Sequence, residues 1–122
     1  MIKRFDRIDI VSSDLAEAGR IYHDNFGFTV SSGPNPNEVA IKIGGAEIRL
    51  RSNIASAEVS AANTEGLAAL WLEADNVEAV AAKLSESGVP HSAIRHEESR
   101  RIIAVEAAAA NQVPLFIFDR RA

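Results

Sequence analysis

The chain has 122 residues, 47% of them hydrophobic and 25% charged, the proportions of one globular domain long enough to bury a core. Its formal charge of −4 speaks against a general nucleic-acid binder, which needs a basic face. With no cysteine there is no disulfide, thiolate nucleophile or cysteine-held zinc, and no apolar run reaches the roughly 20 residues of a membrane-spanning helix.

MIKRFDRID carries basic residues with no apolar stretch behind them, so it does not read as a signal peptide, and the expectation is a soluble cytoplasmic protein. Arg7–Val11 alternates Ile8 and Ile10 with Arg7, Asp9 and Val11, the pattern of a strand with one apolar face. Asp14 then offers a helix cap with Glu17 able to reach back. Leu15, Ala18, Tyr22 and Phe26 fall on one helical face, and Gly27 supplies the left-handed stop. SSGPNPNE is polar and turn-forming.

Val39–Ile43 and Ala46–Leu50 flank Gly44-Gly45, a two-residue hairpin signature that also sets the register. Val39, Ile41 and Ile43 should face Leu50, Ile48 and Ala46. On the other side Lys42 should meet Glu47 and Glu38 should meet Arg51, both opposite-charge pairs. Arg49 stands opposite Ala40, with no carboxylate across from it.

The segment 53–66 is small and polar and reads as a linker. After it the first pattern returns: a strand over Ala69–Ala74, Asn76 where Asp14 stood, and a helix over Val77–Ser87 with Val77, Val80, Ala81 and Leu84 inward and Gly88 as its stop. Strands are expected near 91–96, 100–106 and 113–118, with Glu97, Glu98 and Ser99 as a turn and Ala107–Gln112 as a loop. A strand–helix order used twice implies one supersecondary unit repeated, each too small to bury its apolar face alone. The doublets Arg100-Arg101 and Arg120-Arg121 read as solvated strand ends.

Of the three histidines, His23 lies beyond the buried helical stripe. His91 and His96, five residues apart on or beside one strand, fall on opposite faces and cannot share an ion without a bulge. No serine-nucleophile motif, glycine-rich phosphate loop or His-Glu-x-x-His pair is present.

RIDIVSSDLAEAGRIYHDNFGF resembles the opening strand, Ser-Asp-Leu turn and aromatic-bearing helix of the vicinal oxygen chelate superfamily, the glyoxalase, bleomycin-resistance and extradiol-dioxygenase group. LWLEADNVEAVAAKLSESGVP is similar to that family's second opening, and VPLFIFD to its last strand. The resemblance runs over nearly the whole chain. It implies an α+β fold of two β-α-β-β-β modules, about 5–52 and 67–119 joined by a linker over 53–66, in a curved mixed sheet with a concave cup and the helices on its outer face.

Metal-dependent members hold one divalent ion with four side chains. Carried over by position, these fall on Arg7, Arg49, Ala69 and Phe116, none of which is a ligand for such an ion. A two-residue slip would instead offer Asp9, Glu47 and Glu73, a set without histidine. The resemblance therefore implies no metal and no other cofactor. It sets Arg7, Asp9 and Arg49 on one wall of the cup and Trp71, Phe116 and Phe118 on another, a surface suited to an anionic or aromatic small molecule.

The leading expectation is a metal-free protein that sequesters such a ligand through Arg7, Asp9, Arg49, Trp71 and Phe116. It would act as a homodimer, as resistance members of the family do, without nucleic-acid or membrane partners. The alternative is an enzyme of the same superfamily (lyase, isomerase or dioxygenase-like) with a rearranged or acid–base site drawing on Asp9, Glu73 or His96. A third reading is an interaction module whose cup is filled with side chains.

Overall fold

The computed structural model describes residues 2–52, 66–110 and 113–120. The linker expected over 53–66 lies outside the described residues except for Gly66, as does the end of the loop expected over Ala107–Gln112. Among the described residues the fold is α+β, with the order β-α-β-β-β met twice. The first set is β1 (Ile2–Val11), α1 (Leu15–Phe26), β2 (Val30–Ser32), β3 (Glu38–Ile43) and β4 (Ala46–Arg51). The second is β5 (Gly66–Ala74), α2 (Val77–Glu86), β6 (Arg95–Glu97), β7 (Arg100–Val105) and β8 (Leu115–Arg120). The chain divides into two compact units, Arg7–Ala69 and Met1–Asp6 with Leu70–Ala122.

In the unit Arg7–Ala69 the strand order is β2-β3-β4-β1, with β1 parallel to β4 and the other pairs antiparallel. The Gly44-Gly45 turn sets the expected register: Glu38 faces Arg51, Lys42 faces Glu47 and Arg49 faces Ala40. Ile8, Ile10, Val39, Ile41, Ile48 and Leu50 share one face, and Ile41 and Leu50 are fully buried there. Helix α1 packs on β2, β3 and β4, where Gly19 comes close to Val30 and Val39.

Asp14 caps α1 by accepting from the Glu17 N–H at 3.1 Å, and Gly27 ends it at φ 72°. Two details of the predicted helix differ. Glu17 turns its carboxylate to Arg20 instead of reaching back to the cap. Phe26 is not inward but 62% exposed, packed beside Phe28 with ring centroids 5.6 Å apart, and with Ile10, Tyr22 and Leu50 it lines an apolar groove of about 420 Å³.

In the other unit β8 lies between β5 and β7, parallel to the first and antiparallel to the second, and β6 pairs with the far edge of β7. Helix α2 covers a core of Ala74, Val77, Val80, Ile103, Val105 and Ile117. Asn76 caps α2 as Asp14 caps α1, accepting from the Ala79 N–H at 3.1 Å. A second free N–H of that terminus, on Val77, donates to Asp119 at 2.8 Å, and Arg101 grips Asp119 from the facing position on β7.

Arg101 is therefore buried and not solvated, and it also pairs with Glu78. The hydrogen bond to Asp119 keeps its pKa above the ordinary guanidinium value. The strand expected over 91–96 shortens to Arg95–Glu97, with His91 joined to Val105 by a single bridge. Ala107–Ala110 forms one 3-10 turn.

Candidate functional site

Arg7, Asp9, Glu38, Glu47, Arg49 and Arg51 share the face of the β1–β4–β3 sheet opposite α1, a consequence of strand alternation and the hairpin register. What the alternation does not reveal is how deeply this charged face is covered: Asp9 is fully buried, and Arg7, Glu38 and Glu47 are also buried. Charges this far from water persist only when paired. Arg7 Nε lies 2.8 Å from Asp9 Oδ1, and Arg51 reaches both Asp9 Oδ2 at 3.5 Å and Glu38 Oε2 at 2.8 Å.

Arg49 faces Ala40 and so no carboxylate directly across on β3, but it turns along its own strand and places Nε 2.6 Å from Glu47 Oε2. Lys42 takes the other Glu47 oxygen at 2.6 Å. Burial opposes the Glu47 anion, yet the hydrogen bonds from Arg49 and Lys42 outweigh it and hold its pKa below the ordinary carboxylate value. Arg7, Asp9 and Arg49 thus lie on one face of the sheet, with the correction that Arg49 has a carboxylate partner along its own strand.

In the sequence Glu38 stands out only as half of an opposite-charge pair with Arg51. Its side chain is only 4% exposed. Gly33 presses on it so closely that a Cβ there would lie 2.6 Å from the Glu38 Cβ. Oε2 is anchored by Arg51, whereas Oε1 is buried with no hydrogen bond and has Arg49 Nη1 at 3.8 Å. Gly33 at the turn before β3 was the available sequence clue, but a close approach is not visible in a one-dimensional pattern.

In the other unit Trp71, Glu73, Phe116 and Phe118 occupy one face of β5 and β8. Trp71 and Phe116 stack at 4.5 Å between centroids with 16° between planes, and Phe118 meets Trp71 edge-on at 6.2 Å. All three rings are buried. Glu73 accepts from Arg4 Nε at 2.8 Å. His96 is exposed on β6, and His91 bonds Ser85 and the Ser92 carbonyl. His23 is exposed on α1.

Among the described residues no group of three His, Cys, Asp or Glu side chains is placed to hold a metal ion. The positions carried over from metal-dependent members hold Arg7, Arg49, Ala69 and Phe116, and two guanidiniums, a methyl and a phenyl ring do not fit a divalent ion. Among the same residues no helix is long and apolar enough to cross a membrane.

Residues 4–115 match the family model described as Glyoxalase/Bleomycin resistance protein/Dioxygenase superfamily. No protein of curated function matches the sequence. Among solved structures the chain is similar to a methylmalonyl-CoA epimerase from Mycobacterium tuberculosis, at 21% identity and a TM-score of 0.75, covering 99% of this chain and 90% of that one. It is similar as well to a Streptomyces coelicolor methylmalonyl-CoA epimerase variant in complex with 2-nitronate-propionyl-CoA, at 23% identity, TM-score 0.75 and full coverage of both chains. A third, a methylmalonyl-CoA epimerase in complex with methylmalonyl-CoA and NH4+, is 24% identical with a TM-score of 0.75, covering 100% of this chain and 97% of that one. Identities this low establish a shared fold. The family match extends over most of the sequence, and the chain belongs to the glyoxalase/bleomycin resistance protein/dioxygenase superfamily.

Proposed function

We propose that this chain is an enzyme of its superfamily that works by acid–base chemistry on a small anionic substrate, with Glu38 as the proton-transferring group. Arg7 and Arg49 supply fixed positive charge where metal-dependent members keep an ion. The observation that carries the reading is Glu38 itself: one oxygen anchored by Arg51 at 2.8 Å, the other buried without a hydrogen bond beside Arg49. Leaving a buried acceptor unsatisfied costs about 1–3 kcal/mol, and a catalytic role is one reason such a group is kept.

The chemistry this arrangement supports is removal of a proton next to a carbonyl and its return. Glu38 Oε1 takes the proton, the C–H electron pair moves toward the carbonyl oxygen, and the guanidinium of Arg49 offsets the charge developing there. Return of the same proton, or of one from solvent, closes the cycle without a co-reactant. That the similar solved structures are methylmalonyl-CoA epimerases, one holding an acyl-CoA analogue, supports carboxylate-bearing acyl thioesters as the first class to test.

The test is solvent-deuterium exchange into methylmalonyl-CoA and simpler α-branched carboxylates, with and without chelator. Exchange that survives chelation and falls by about a hundredfold or more in Glu38→Gln is the expected result. Exchange abolished by chelator would overturn the metal-free site, and exchange unchanged in Glu38→Gln would remove Glu38 from it.

A second reading is sequestration without turnover, and one feature of the same face weighs against the charge stabilisation that turnover needs. Each of its four cations, Arg7, Lys42, Arg49 and Arg51, has a carboxylate within 2.8 Å. Calorimetric binding of an anionic aromatic compound with no exchange at any carbon would select this reading. Self-association as a homodimer belongs to either reading and is read directly by sedimentation velocity.

A further inference from the structure

The unit formed by residues 1–6 and 70–122 carries a second charged cluster, and its pairing is uneven. Arg100 on β7 and Arg120 on β8 are direct cross-strand partners. Like charges in that position repel and are destabilising unless something offsets them. Part of the offset is aromatic. The Arg100 guanidinium lies 5.5 Å from the Trp71 ring centre and 5.4 Å from that of Phe118, and Arg120 lies 5.1 Å from Phe118.

The carboxylates nearby are largely committed elsewhere. Arg4 takes Asp6 at 2.7 Å and Glu73 at 2.8 Å, which leaves both of them 3.6 Å from Arg120. Glu97 divides its two oxygens between Arg95 and Arg100, each at 3.1 Å. Among the described residues, Arg100 and Arg120 thus meet Asp6, Glu73 and Glu97 only where Arg4 and Arg95 already hold them. The shortfall falls on the cross-strand pair. Arg120 is 52% exposed and reaches carboxylates only at 3.6 Å, and Arg100, 23% exposed, gives one of its five N–H groups to Glu97.

We infer that Arg100 and Arg120 form a seat for a phosphoryl dianion, free phosphate or a phosphomonoester, above the Trp71–Phe118 floor. A carboxylate is satisfied by one guanidinium fork, whereas a tetrahedral dianion has oxygens for two forks arriving from adjacent strands. A dianion also removes the cross-strand repulsion that the cluster's own carboxylates leave in place. The aromatic floor fixes both cations before the ligand arrives, so little side-chain entropy is lost on binding.

Trp71 is the only tryptophan in the chain, so its emission reports occupancy of the deck it supports. The full-length protein is titrated with inorganic phosphate and, separately, with adenosine monophosphate, at constant ionic strength set with chloride. The expected result is a saturable emission change that chloride alone does not produce and that needs at least tenfold more phosphate in Arg120→Gln. This variant is chosen because Arg120 is half exposed and lies over Phe118, and its unliganded emission and melting curve are compared with wild type before titration. Arg20→Gln, which removes a similar charge from α1, should titrate as wild type.

A tenfold preference for adenosine monophosphate identifies a phosphoester as the ligand, and equal affinities identify free phosphate; either supports the seat. An Arg120→Gln titration identical to wild type, or an equal response to chloride, overturns it. Arg120→Gln is read by tryptophan emission and Glu38→Gln by proton exchange, so failure of either proposal leaves the other in place.

Discussion

Arg49 and Glu47 lie two residues apart on β4 and are joined Nε to Oε2 at 2.6 Å, so the cation that faces Ala40 across the hairpin is held along its own strand. Lys42 completes the clamp on Glu47 from β3. This one carboxylate therefore sets where the Arg49 guanidinium points and keeps it beside Glu38.

Glu47→Gln should cost about 1–3 kcal/mol of folding stability, because it removes two charge-assisted hydrogen bonds and leaves Arg49 mostly buried with a weaker partner. Urea unfolding at neutral pH measures the change. Lys42→Ala, at an exposed position, should cost no more than about 1 kcal/mol. A loss for Lys42→Ala as large as that for Glu47→Gln would contradict this division of the clamp.

The same carboxylate gives stability a definite pH dependence. Its pKa in the folded state is held below the ordinary value, so it binds its proton more readily when the chain is unfolded. The contribution is fully present above the ordinary carboxylate pKa and is lost as pH falls through the folded value. Melting temperature should therefore drop on acidification more steeply in wild type than in Glu47→Gln. Parallel curves would mean that other carboxylates carry the acid sensitivity.

Gly33→Ala probes the wall behind Glu38. The added methyl would meet the Glu38 Cβ at 2.6 Å and its backbone carbon at 3.0 Å, so either the turn before β3 or Glu38 must move. The expected cost is about 1–3 kcal/mol from overpacking. If Glu38 is the proton-transferring group, turnover should fall further than the stability loss alone explains, most clearly in kcat.

The two helix caps should respond alike, and Asp119 should matter more than either. Asp14→Ala and Asn76→Ala each remove one side-chain acceptor from a helix N-terminus, at about 1 kcal/mol apiece. Asp119→Ala should destabilise more than Asn76→Ala, since it frees the Val77 N–H and also leaves the buried Arg101 with Glu78 as its remaining carboxylate. Thermal melts of the three variants rank them.

Much of the fold was legible in local chemistry. Asp14 and Asn76 at corresponding places, Gly27 after one helix and Gly44-Gly45 between two alternating runs each act on residues a few positions away. Their consequences therefore appeared in the structure where the sequence put them. The hairpin register even named the Lys42–Glu47 and Glu38–Arg51 pairs, because cross-strand neighbours follow once a two-residue loop is set.

The charges of the candidate site were legible only as a list. Alternation told that Arg7, Asp9 and Arg49 share a face; it could not tell that Glu47 would bind Arg49 along the strand. Nor could it tell that Gly33 would seal Glu38, or that Arg101 would turn inward to Asp119 while Arg100 lay over Trp71. These outcomes depend on which long, flexible side chain reaches which carboxylate once burial removes water as a competitor, a choice made among residues far apart in the chain. Sequence by itself determined the elements, their caps and the sides of the strands. Tertiary packing decided the depth of each charge and its partner, because desolvation is a property of the assembled surroundings and not of any local run of residues.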